Sequence, residues 1–263
     1  MSSDTDTNTS TELRDEAKVE ELLSKIDTLD LIVFHGGDFI SNLIDRAETW
    51  SRGDGQATHV GMAINKAICP FIKTTSANML VIESTMSGPL NDDVPNVETG
   101  ASTFGVQIRD LRDDITSYLQ NPKANVGVCK LIHNPSFCRV KDKKKLIKKL
   151  EKVYKEFDGK TYNFGLIDLL ATVIPCMRSI RKVDDDTLGE ITDTDNWMFC
   201  SELVMRIYQK IGLIDPKIDY RDTTPVDFIP GPETTNDLAY KKLHAALSNI
   251  VEAPIWIKPP ILL

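Results

Sequence analysis

The chain lacks most of the short patterns that announce a known chemistry. It has four histidines in 263 residues and five cysteines, at positions 69, 129, 138, 176 and 200. No Cys-x-x-Cys pair and no His-x-x-x-His spacing occurs, which argues against a structural zinc site. An odd, widely spaced cysteine set without a secretory leader predicts free thiols in a cytoplasmic or other reducing compartment. Gly36-Gly37 has neither the Lys-Ser/Thr of a phosphate loop nor the spacing of a dinucleotide fingerprint. No Gly-x-Ser-x-Gly nucleophile elbow is present. The acidic runs at 184–186 and 193–195 lack the ligand spacing and closing glutamate of an EF-hand. Neither a metal nor a cofactor is expected.

Positive charge is also in short supply. Lys and Arg number 31 against 39 Asp and Glu, for a net charge of −8. Such a chain has no global field to attract nucleic acid, so no nucleic-acid partner is expected. Its one basic cluster, Lys141 to Lys149, interleaves with Leu146, Ile147 and Leu150 at helical spacing and reads as the solvated face of a helix. Long apolar runs are missing too. Phe164 to Pro175 is the longest, is interrupted by Asp168, and falls short of the roughly 20 residues that span a bilayer. No transmembrane segment is expected, although this stretch could still touch lipid.

What the chain does have is enough apolar material, 41% of its residues, for a real core. Residues 1–28 read as a disordered leader of Ser, Thr, Asp and Asn followed by a short amphipathic helix that uses Leu13, Val19, Leu22, Leu23 and Ile26. Residues 29–230 read as the main domain, and 231–263 as a helix with an apolar, Pro-rich tail that must dock on this chain or on a partner. Strand-type segments, rich in Val and Ile, run over Leu29 to Phe34, Thr58 to Ile64, Met79 to Ser84, Gly105 to Leu111 and Asn125 to Ile132. Helical periodicity marks Asp38 to Trp50, Lys141 to Phe157, Phe164 to Val183 (kinked at Pro175), Cys200 to Ile211 with Gly212 as its stop, and Asp237 to Ile250. Helices, a β-meander, then helices again predict an α+β fold.

Three residues carry candidate chemistry. Cys200 stands at a predicted helix start, where the positive end of the backbone dipole favours a thiolate. An arbitrary free cysteine is more often an inert core residue, and only Cys200 combines a helix start with polar approach residues. His59 alternates with Gly61 and Ala63 on one strand face, so small neighbours should leave room for something to approach its ring. A core or edge histidine bonded to backbone fits that pattern equally well. Glu83 shares a strand face with Val81, and a carboxylate buried there needs a partner that His59 would supply. A strand-end glutamate in water is the competing reading. Together the three form the parts of a nucleophilic hydrolase.

Several segments, taken in order, carry a resemblance. They are Gly36-Gly37-Asp38-Phe39-Ile40, Thr58-His59-Val60-Gly61-Met62, Val81-Ile82-Glu83-Ser84 and Gly105-Val106, then Gly159-Lys160-Thr161-Tyr162-Asn163-Phe164, Phe199-Cys200-Ser201-Glu202-Leu203-Val204 and Thr224-Pro225-Val226-Asp227-Phe228. Over Leu29 to Ile229 this order resembles a circularly permuted papain-like fold of the NlpC superfamily. The nearest group is the YiiX-like amidase branch, which also has poxvirus members. The resemblance implies a small antiparallel sheet or partial barrel with the nucleophile helix packed on it. It also implies a thiol hydrolase with Cys200 as nucleophile, His59 as base and Glu83 as the orienting third residue, acting on a peptide, amide or lipid-ester substrate. Related lipid acyltransferases carry Asn-Cys-Glu-His around the cysteine; here Ser201-Glu202-Leu203 follows it, which disfavours that branch.

Two further classes stay open. A catalytically idle papain-like scaffold would use the leader, acidic loop and tail for binding or virion assembly, with the tail engaging a protein partner. A lipid acyltransferase or phospholipase would use the apolar Phe164 to Ile174 segment. Specificity would lie in loops such as Gly88 to Thr103, which carry no readable code.

Overall fold

Strand-forming residues with a period of two pair edge to edge, and in this chain they build one open sheet with both faces covered. The structure is a computed structural model, and it describes residues 16–36, 57–73, 76–85, 94–102, 104–132, 140–160, 198–220, 223–230 and 238–257. The strands are β1 (Leu31–His35), β2 (His59–Asn65), β3 (Met79–Thr85), β4 (Gly105–Asp110), β5 (Asn125–Cys129) and β6 (Ile255–Ile257). They lie in the order β4-β3-β2-β1-β5-β6, and every neighbouring pair is antiparallel. The expected α+β class holds. The sheet is open, with β4 and β6 at its edges, and is not a closed barrel.

Helices cover both faces, described as α1 (16–23), α2 (Leu111–Leu119), α3 (Val140–Phe157), α4 (Cys200–Ile211) and α5 (Leu238–Ser248). Alternation divides the strand side chains between two cores. Val33, Val60, Met62 and Ile82 pack with Leu203 and Ile207 of α4, Leu150 of α3 and Leu247 of α5. On the other face Ile32, Phe34, Ala63 and Val81 pack with Leu111 and Ile115 of α2 and Val19 and Leu22 of α1. On α3, Leu146 and Leu150 are buried while Lys144, Lys145 and Lys148 are exposed, so the basic cluster is the solvated side of an amphipathic helix. Among the described residues, no helix is long and apolar enough to cross a membrane.

Two segments differ from expectation. The strand predicted to run to Leu111 stops at Asp110, whose carboxylate accepts the Arg112 N–H at 2.9 Å and caps α2. Helix α2 was not anticipated. Its cap and its Leu111/Ile115 spacing were hidden by a strand pattern that runs straight into it. The segment predicted as strand to Ile132 ends at Cys129, leaving a single bridge between Leu131 and Val251.

The apolar tail docks on this chain through β6. Trp256 lies over Gly127 of β5, where an added Cβ would fall 2.8 Å from the indole Cε3. The predicted helices over Asp38 to Trp50 and Phe164 to Val183 lie outside the described residues. So do the leader, the acidic run 184–196, Cys138, Cys176, the tail beyond 257 and, within the Gly88 to Thr103 loop, residues 88–93 and 103.

Candidate active site

Helix α4 begins at Cys200, and its first turn is fastened on two sides. The preceding Phe199 is extended (φ −77°, ψ 160°) and occupies the N-cap position, although a phenyl ring offers no acceptor for the first-turn N–H groups. Glu202 completes the reciprocal half of a capping box, its Oε2 accepting the Phe199 N–H at 3.1 Å. Ser84 Oγ of β3 donates to the Met198 carbonyl at 2.6 Å, and Ser201 Oγ donates to the Thr223 carbonyl at 2.6 Å. The second of these ties α4 to the turn at Pro225–Phe228, where Asp227 Oδ2 accepts the Thr224 N–H at 2.7 Å. Gly212, at φ 88°, closes the helix as its position in the sequence predicts.

His59 is the first residue of β2, opposite Phe34 of β1. Its ring lies 5.4 Å from that of Phe34 and stacks at 10° with Tyr118 of α2, centroids 6.4 Å apart. Its Nε2 meets Glu83 Oε2 at 2.6 Å, and the Glu83 side chain is essentially buried. The Cys200 thiol lies within electrostatic reach of the same ring. With Nε2 committed to the carboxylate, Nδ1 is the nitrogen left for the thiol. The structure therefore brings the three sequence-predicted residues together.

The face assignments are instructive. Gly61, two residues along from His59, presents the position of its missing Cβ to Val81 and Glu83. His59 and Glu83 thus share the face that α2 covers. Cys200 belongs to the core on the opposite face. The His59 ring, at the start of its strand, is where the two sides meet. The space expected beside Gly61 is filled, because Val81 Cγ2 lies 2.5 Å from where a Cβ would be.

Electrostatics reinforce the contact. Burial alone would lower the His59 pKa, but the influence of Cys200 and then of the Glu83 carboxylate outweighs it and pushes the pKa up to about 10. Burial works to raise the Glu83 pKa, and the nearby Arg109 and then His59 overcome it, so the carboxyl is held below its ordinary range. Cys69 and Cys129 are buried and free, and burial pushes both thiols up to about 12, with Asp30 adding to the effect at Cys129. Both suit the inert role of a core cysteine.

Two residues of this cluster escaped sequence reasoning. Arg109 of β4 places Nη1 3.3 Å from Glu83 Oε1 and 3.4 Å from Asp114 Oδ1 of α2, and all three side chains are nearly inaccessible to solvent. The alternation Val106-Gln107-Ile108-Arg109 does put Gln107 and Arg109 on one face. The register that sets Gln107 opposite Glu83, and Arg109 opposite Val81, is not written in that alternation. Among the described residues, no group of three or more His, Cys, Asp or Glu side chains is placed to hold a metal ion.

No protein-family model matches this chain, and no curated protein matches it either.

Proposed function

We propose that this protein is a cysteine hydrolase of the circularly permuted papain-like type, cleaving an amide or ester bond through an acyl-enzyme. The observation that carries this reading is the His59 ring, held by Glu83 at 2.6 Å and within electrostatic reach of Cys200. A thiol at a helix start beside an imidazole that favours its charged form is set up as a thiolate–imidazolium pair.

In the first step the Cys200 thiolate attacks the carbonyl carbon, and the carbonyl electron pair moves to oxygen. The backbone N–H of Cys200, at the first position of α4, is the candidate oxyanion donor. Collapse expels the leaving amine or alcohol, which takes the proton from His59 Nδ1 and leaves a thioester. Water then attacks the thioester as His59 accepts its proton, and the thiolate departs. Glu83 holds the ring so that Nδ1 serves both steps. A permuted papain-like fold suits the order of the site residues, with His59 and Glu83 preceding Cys200.

The deciding experiment is the rate of iodoacetamide alkylation at each cysteine of the folded protein as a function of pH, read by peptide mass. Cys200 is expected to react fast at pH values well below the ordinary thiol pKa of about 8.5, and His59→Ala to abolish that reactivity. Glu83→Gln is expected to weaken it less. Alkylation of Cys200 no faster than that of an ordinary exposed thiol would remove the catalytic reading and leave an idle scaffold. With a substrate in hand, Cys200→Ala must eliminate turnover while preserving the fold.

A further inference from the structure

We propose that Arg109 is a positioning residue of this site: its guanidinium, anchored by Asp114, holds Glu83 in the orientation that leaves Oε2 to the His59 ring. The proposal rests on the hydrolase reading above and extends it to a residue two strands from His59.

The two oxygens of Glu83 face different partners, Oε1 toward Arg109 at 3.3 Å and Oε2 toward His59 at 2.6 Å. Oε1 makes an ion contact with Arg109 and no hydrogen bond, so rotation of the buried carboxylate would lose either that contact or the Nε2 bond. Arg109 is itself fixed from α2 by Asp114 Oδ1 at 3.4 Å, and its Nη2 donates to Ser102 Oγ at 3.5 Å. Among the described residues, the charged and titratable groups around Glu83 include His59 from β2, Arg109 from β4, Asp114 and Tyr118 from α2 and, through the His59 ring, Cys200 from α4. Arg109 is the strongest of the influences that lower the Glu83 pKa. An isolated carboxylate and guanidinium this deep would each carry a heavy desolvation cost, which their mutual contact offsets in part.

A sign follows from the charges. Removing the Arg109 cation raises the proton affinity of the whole cluster, so the acid limb of Cys200 reactivity moves to higher pH. Removing the Asp114 anion does the reverse, because Ser102 Oγ and Glu83 Oε1 still hold the guanidinium in place. Loss of packing alone would lower the amplitude in both variants without moving either midpoint in opposite directions.

The test is the iodoacetamide rate at Cys200 from about pH 3 to pH 9 in wild type, Arg109→Met, Arg109→Lys and Asp114→Asn, spanning the range of perturbed thiol pKa values. We expect the acid midpoint to rise by roughly one unit in Arg109→Met, return toward wild type in Arg109→Lys, and fall in Asp114→Asn. Unchanged midpoints, or shifts of Arg109→Met and Asp114→Asn in the same direction, overturn the proposal. Should Arg109→Met fail to fold, the direction of the Asp114→Asn shift decides. If wild-type Cys200 shows no acid-limb reactivity, the hydrolase reading falls, and the role of Arg109 is then read from 15N NMR of the His59 ring. A hydrogen-bonded Nε2 proton in wild type and Arg109→Lys that is lost in Arg109→Met supports positioning; its persistence in Arg109→Met overturns it.

Discussion

Ser84 and Met198, 114 residues apart in the chain, are joined by a 2.6 Å hydrogen bond from Oγ to the carbonyl oxygen. Neighbouring Glu83 points to the opposite face of β3, toward His59. Two consecutive residues of one strand thus hold both halves of the site, the carboxylate–imidazole pair on one side and the approach to Cys200 on the other.

Ser84→Ala should loosen that register. Removing the donor leaves the Met198 carbonyl short of a partner and costs about 1–3 kcal/mol, measurable by urea unfolding. Alkylation of Cys200 should slow by roughly tenfold, because the thiol no longer sits squarely against the His59 ring. Unaltered stability together with an unaltered rate would show that the bond positions nothing.

His59 should make stability depend on pH in a defined window. Its folded pKa, about 10, lies above the unfolded value of 6.5. The folded state therefore binds the proton more tightly, and the stabilisation is fully present below pH 6.5 and is lost as pH rises through about 10. Comparing thermal unfolding of wild type and His59→Gln should show the larger difference at acid pH and a shrinking one towards pH 10. A difference that is flat across this window would mean the ring carries no extra proton in the fold.

Gly61→Ala should disturb the site without touching any of its three principal residues. The new methyl would lie 2.5 Å from Val81 Cγ2 and 3.4 Å from Glu83 Cβ, so the Val81 side chain or β3 itself must shift. Overpacking of this kind costs typically about 1–3 kcal/mol. Stability and Cys200 alkylation should fall together; a variant that unfolds like wild type would show that β3 yields freely at this point.

Gly127→Ala tests the anchorage of β6. Its methyl would meet both Trp256, at 2.8 Å from Cε3, and Val33 Cγ2, at 3.0 Å. We expect the indole to be displaced, so that limited proteolysis cuts ahead of β6 faster than in wild type. Equal protection in the two proteins would contradict this.

Much of the fold was legible because period-two and helical patterns are local. β1, β2, β3, α3 and α4 all fall within a residue or two of where composition puts them. Cys200 could be picked out because a helix start is written in its own neighbours. His59 and Glu83 were readable as candidates from strand parity, but their contact depends on β2 and β3 lying side by side, which parity does not fix. Arg109 and Asp114 were missed for the same reason. A buried ion pair leaves no trace in a single sequence when one partner ends a strand and the other opens an unanticipated helix. The docking of the tail as β6 hung on Gly127, a residue that taken alone reads only as a weak point in a strand.

The stretch of chain between Ser84 and Met198 has a consequence for biosynthesis. At roughly 5–20 residues per second, a ribosome needs on the order of ten seconds to carry the chain from one end of that hydrogen bond to the other. For that interval the imidazole and its carboxylate have been made and the thiol has not. The nascent protein cannot bring Cys200 to the His59–Glu83 pair until most of its sheet has been synthesised, so the order of the polypeptide itself delays the assembly of this cluster.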